Sequence, residues 1–127
     1  MTPYKAPLRD MRFQMNEVFK YPAHYARLPN GSEATPDIVD AILEGAAELS
    51  EDILAPLDRS GEREGCHFRD GGVATPAGFK EAYAQFVAGG WQGLSFPREY
   101  GGQGLPASVS VFKSEMMGTA NWSFSMY

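Results

Sequence analysis

The stretch Gly89–Pro106 limits what this chain folds into more than any other. It places six glycines and two prolines among Trp91, Leu94, Phe96, Tyr100 and Leu105. Glycine lets the backbone turn sharply, and the bulky side chains give the turns something to bury. A flexible glycine–serine linker lacks such anchors, whereas a compact loop packed by its own side chains requires them. The stretch therefore reads as an ordered connector between two helices, anchored by Trp91, Leu94 and Tyr100.

The segments on either side carry helical periodicity. Leu8, Met11, Met15 and Val18 or Phe19 recur at spacings of three and four and predict a short amphipathic helix. Lys20 to Ser32, with Pro22, Pro29 and Asn30-Gly31, reads as a loop carrying Tyr21, His24 and Tyr25. Thr35-Pro36-Asp37 combines a capping hydroxyl, proline at the first helical position and an acid in the first turn. From there Ile38, Ile42, Ala46, Leu49, Ile53 and Leu57 form an apolar stripe, the main core helix, which Pro56 should kink or end. On its other side Asp40, Glu44, Glu48 and Asp52 repeat every four residues and read as a solvated face. Arg59 to Val73 reads as a polar surface loop. Thr75-Pro76 repeats the start signal, Phe79, Tyr83, Phe86 and Val87 give one helical face, and Gly89-Gly90 stops it. The last helix begins at Pro106 and runs through Val109, Phe112, Met116 and Ala120 to the end. It is apolar nearly all round, with Lys113 and Glu115 as its charges, and such a helix belongs inside something.

Composition narrows the functional classes. The 127 residues suit one domain, and 43% hydrophobic with 21% charged residues argues against disorder. A net charge of −5 without a Lys/Arg cluster argues against nucleic acid as a partner. No apolar run approaches the ~20 residues of a membrane span. Cys66 is the single cysteine, which rules out an internal disulfide and a four-cysteine zinc site and fits a reducing, cytoplasmic setting. Glu62, Glu64, Cys66, His67 and Asp70 include metal-ligating types, but their spacing follows no ligand pattern. Gly102-Gln103-Gly104-Leu105-Pro106-Ala107 satisfies a dinucleotide-binding glycine pattern in form, yet Pro97 interrupts the strand that should precede it, and the acid that should follow falls beyond Tyr127. His24 and His67 have no neighbouring nucleophile arrangement that marks a triad.

Gly90-Trp91-Gln92-Gly93-Leu94-Ser95-Phe96-Pro97-Arg98-Glu99-Tyr100-Gly101-Gly102-Gln103-Gly104-Leu105-Pro106 resembles the N-terminal domain of the acyl-CoA dehydrogenases. Tyr4 to Asp10 and Asn121 to Phe124 further resemble a bacterial branch of that family. The resemblance implies an all-α fold: a helical N-terminal domain of about four helices with the glycine-rich connector, spanning residues 1–127. It also implies that the family's β domain and C-terminal helical bundle are absent here. FAD sits mainly between those two parts in the family, and a glutamate of the bundle usually removes the substrate's α proton while the β hydride passes to the flavin. Neither Glu99 nor Glu115 is assigned that role. FAD is accordingly expected in the full-length protein and not on this chain alone, which is expected not to be catalytic by itself. The implied partners of the full-length protein are an acyl-CoA substrate, an electron-transfer protein and further copies of itself. The helix after Gly104-Leu105-Pro106 lines the acyl cavity in the family, which makes Trp122, Ser123, Phe124 and Tyr127 the substrate-pocket residues; the same residues fit an interdomain core equally well. A different class of function, a stand-alone helical module or truncated relic binding a partner through its apolar last helix, also accommodates the sequence.

Overall fold

The computed structural model describes residues 2–126; Met1 and Tyr127 lie outside the described residues. It is mostly helical, with one small two-stranded sheet. The first helix, α1 (Leu8–Phe13), passes into a π-helical turn over Gln14–Val18 and buries Met11 and Met15. Val18 and Phe19, expected on the same face, are exposed.

Residues 36–64 form one long helical run. Helix α3 (Pro36–Glu48) starts where the sequence signals it, with the Ile38 amide donating to Thr35 Oγ1 at 3.4 Å. Of the expected stripe, Ala46 and Leu49 are buried, Ile42, Ile53 and Leu57 are half-buried and Ile38 is exposed; Val39, Leu43, Ala47, Ser50 and Leu54 are buried beside them. The run packs against two apolar clusters, one on each end, so its buried face is wider than a single stripe. Pro56 neither ends nor breaks it. The turn before it widens to π-helical bonding over Leu49–Leu54, and α4 (Ala55–Glu64) resumes with Pro56 in its first turn. A proline ring collides with the carbonyl four residues back in an ordinary α-helix, and a wider turn moves that carbonyl aside.

The acidic row on α3 is not simply solvated. Arg12 of α1 donates from Nε to Asp40 at 2.5 Å and from Nη2 to Glu44 at 2.7 Å. One guanidinium thus offsets the repulsion between two of the four acids and fixes α1 across α3.

Two stretches expected to be loops are ordered elements. Residues Tyr21–Tyr25 form a short helix, α2, entered through Lys20 in the left-handed conformation. Pro22 is tolerated because first-turn amides have no partner within the helix. Tyr25 is buried, stacks on Tyr21 and shares a 2.6 Å hydrogen bond with Ser108. Beyond α4, strands β1 (His67–Arg69) and β2 (Gly72–Ala74) pair antiparallel with Phe68 opposite Val73. Asp70 and Gly71 both have positive φ, 49° and 79°, the backbone of a type I′ hairpin turn.

Helix α5 (Phe79–Ala88) begins three residues later than Thr75-Pro76 suggests, behind Gly78. The Ala77 amide is held by the Glu64 carboxylate, which leaves Pro76 outside the helix. The connector follows, and then α6 (Ala107–Ala120). The last helix does not run on to the end. It breaks at Asn121, whose backbone is extended, and α7 (Trp122–Ser125) starts anew. Asn121 is fully buried: its Oδ1 accepts from the Phe124 amide at 2.9 Å and its Nδ2 donates to the Leu54 carbonyl at 3.0 Å.

One apolar cluster lies beneath α1, α2, α3 and α6 as far as Met116; the second lies among the Leu49–Leu54 turn, α4, α5, the end of α6 and α7. Trp91 packs against both. Leu94 and Leu105 anchor the connector as expected of bulky residues, but Tyr100 is 79% exposed and anchors nothing.

Candidate functional site

Helices α5, α6 and α7 form a groove of about 650 Å³. Its walls are aromatic and apolar: Phe79, Tyr83 and Phe86 from α5, Met117 from α6 and Phe124 from α7. Phe124 makes edge-to-face contacts with Phe79 and Phe86, with ring centres 5.9 and 6.2 Å apart, so the α7 wall is fixed to the α5 wall. The Asn121 cap starts α7 at the angle that sends Phe124 inward.

Lys113 is the exceptional group. It lies on the buried face of α6 with Val109, Met116, Met117 and Ala120, and it is only 8% exposed. Its ammonium donates to the Trp91 carbonyl at 3.3 Å and sits 5.7 Å from the centre of the Phe86 ring. Burial pulls its pKa below the ordinary lysine value. The sequence showed Lys113 only as one of two charges on α6. Its position four residues from both Val109 and Met117 was the available signal, since residues at that spacing share a helix face.

The structure separates the residues expected to line a pocket. Phe124 lines the groove. Ser123 is half-buried outside it. Trp122 is 67% exposed, with its ring against Gly118 on the outer side of α6. Tyr127 lies outside the described residues. Glu99 and Glu115 are exposed.

The connector's backbone excludes the dinucleotide reading on positive grounds. The amides of Gly101, Gly102, Gln103, Gly104 and Leu105 donate to the carbonyls of Arg98, Pro97, Gly93, Phe96 and Leu94 at 2.8–3.1 Å. A phosphate cradle needs such amides pointing outward and unbonded. Here they close the connector on itself. Gly102 is required for this, because a Cβ there would overlap the Phe96 carbonyl. Among the described residues, no group of three or more His, Cys, Asp or Glu is placed to hold a metal ion. His67 instead bonds the Glu64 carbonyl at 2.7 Å.

Comparison with known proteins adds a relative. Over 123 residues, 97% of its length, the chain is 39% identical to a 3-methylmercaptopropionyl-CoA dehydrogenase of Ruegeria pomeroyi. That match bears out the resemblance to an acyl-CoA dehydrogenase. The chain spans 21% of the length of this dehydrogenase relative. No family model matches the chain. No helix among the described residues is long and apolar enough to cross a membrane.

Proposed function

We propose that this chain is the N-terminal helical portion of a FAD-dependent acyl-CoA dehydrogenase, working together with a β domain and a C-terminal helical bundle supplied by the rest of a longer protein. The observation that carries the reading is the match of nearly the whole chain to one fifth of a dehydrogenase. FAD, when bound to such a protein, accepts the hydride from the acyl β carbon. The connector does not fit a flavin cradle, since its amides are consumed within it. On this reading the cofactor and the proton-abstracting base belong to other parts of the protein, and no step of the reaction is assigned to this chain.

Two roles remain for it, wall and packing surface. The groove beside Phe124 is concave, predominantly apolar and within the size range of small-ligand sites, which suits the acyl chain of a thioester. Val111 and Trp122 are exposed on the outer side of α6 and α7, with Gly118 between them, and suit contact with another domain. Phe124→Ala in the complete protein tests the first role. The expected result is a rise of about tenfold in KM for a long acyl-CoA, corresponding to about 1.4 kcal/mol of lost apolar contact. A short acyl-CoA should respond less. Equal effects on long and short substrates, or none, would remove Phe124 from the acyl pocket. The competing reading, a stand-alone module that binds through Val111 and Trp122, predicts no acyl-CoA oxidation by any form of the protein.

A further inference from the structure

The charge of the groove runs against the charge of the chain. The sequence holds 16 acidic and 11 basic residues, yet the groove is lined by two lysines, Lys80 and Lys113, and by no Asp or Glu. Neither lysine forms an ion pair among the described residues. Lys80 is exposed and well solvated; Lys113 is not.

A lysine ammonium carries three N–H donors and is strongly hydrated. Removing it from water is unfavourable unless an acceptor or a counter-charge replaces the lost hydration. Lys113 has one neutral acceptor, the Trp91 carbonyl, and the face of Phe86. Two donors and a positive charge are left beside a largely apolar cavity, whose other polar linings are Lys80 and the neutral Thr75, Tyr83, Gln92, Ser114 and Ser125. An anion is the group that satisfies all of this, and the aromatic walls specify what must be attached to it.

We propose that the groove between α5, α6 and α7 binds a small carboxylate with an apolar body, its carboxylate paired with Lys113 and its hydrocarbon against Phe79, Phe86, Met117 and Phe124. Charge complementarity fixes the head, and the apolar lining fixes the tail. A charge-assisted N–H···O⁻ bond is stronger than one to a neutral acceptor. The proposal rests on the groove itself and goes beyond the dehydrogenase reading, since neither flavin nor coenzyme A takes part.

Octanoate titrated into the 127-residue chain, followed calorimetrically, is the direct test, with acetate and octanol as controls. Octanoate should bind, acetate should bind far more weakly for want of a tail, and Lys113→Met should weaken octanoate by about tenfold or more. Octanol should bind wild type and Lys113→Met alike. Equal octanoate affinity in the two proteins, acetate binding as well as octanoate, or no octanoate binding at millimolar concentration would each overturn the proposal. Circular dichroism establishes whether Lys113→Met folds. Should it not fold, the side-chain resonances of Lys113 in the wild-type chain decide. They should shift with octanoate and stay in place with octanol; the same shift with both, or with neither, refutes the pairing.

Discussion

Asn121 holds the end of this fold with one side chain, and replacing it by Ala removes two bonds at once. The first is the cap on α7, the Phe124 amide to Oδ1 at 2.9 Å. Losing such a cap costs about 0.5–2 kcal/mol. The second is the 3.0 Å bond from Nδ2 to the Leu54 carbonyl in the long helical run. Asn121 is 0% exposed, so water does not replace that donor, and a buried acceptor deprived of its partner costs about 1–3 kcal/mol. Together the loss should be about 1.5–5 kcal/mol, a substantial part of the roughly 5–15 kcal/mol that holds a domain together. Urea unfolding followed by far-ultraviolet circular dichroism measures it by linear extrapolation. Asn121→Ser separates the two contributions, because a hydroxyl can still cap α7 but is too short to replace the donor at Leu54. It should fall between wild type and Asn121→Ala. A loss within about 0.5 kcal/mol for Asn121→Ala, the range of unconstrained surface changes, would refute the claim that this residue ties α7 to the long helical run.

Other consequences follow from single contacts. Trp91→Ala should cost about 3 kcal/mol in the same urea experiment, the lower end of the range for large aromatic deletions, because the ring is half-buried between both clusters. Tyr100→Ala, by contrast, should change stability by no more than about 0.5 kcal/mol despite lying in the same connector. Gly102→Ala should destabilise, since its Cβ would run into the fixed Phe96 carbonyl; an unchanged melting temperature would show that the connector gives way. Lys5 donates to the Glu51 carboxylate, and the Ala6 amide donates to it as well, so the Glu51 pKa is held below its ordinary 4.5. The unfolded state then binds the proton more readily. The contribution is fully present above the unfolded value and fades as pH falls through the depressed folded one. Glu51→Gln should flatten the acid limb of a stability–pH profile, and an unaltered limb would remove the tether from the account.

Much of this architecture was legible in the residues. Thr35-Pro36 announced α3 because its signal is local, a hydroxyl and a ring acting on the adjacent turn. The connector was legible as ordered because its bulky residues needed burial, which Leu94 and Leu105 find fully and Trp91 in part, whereas Phe96 and Tyr100 stay exposed. What stayed hidden depended on partners distant in sequence. The run through Pro56 survives because a π-helical turn and tertiary packing accommodate the ring. The break at Asn121 depends on Leu54, and the role of Arg12 on two acids of another helix. The hairpin is a different case: Asp70-Gly71 is a recognised turn signal, but β1 and β2, three residues each, are too short to show alternation. In the candidate site, Phe124 was named through the family resemblance, and it lines the groove. Lys113 was not singled out, because a charge on a buried face contradicts the pattern that identifies the face.

Anaerobic addition of an acyl-CoA to the complete protein that carries this chain, with the visible absorbance of the flavin as the readout, tests the central claim most directly. The account predicts a yellow protein whose band bleaches as the substrate is oxidised, and a colourless preparation of the 127-residue chain alone. A complete protein without flavin, a flavin band that no acyl-CoA bleaches, or an isolated chain that is itself yellow would contradict it.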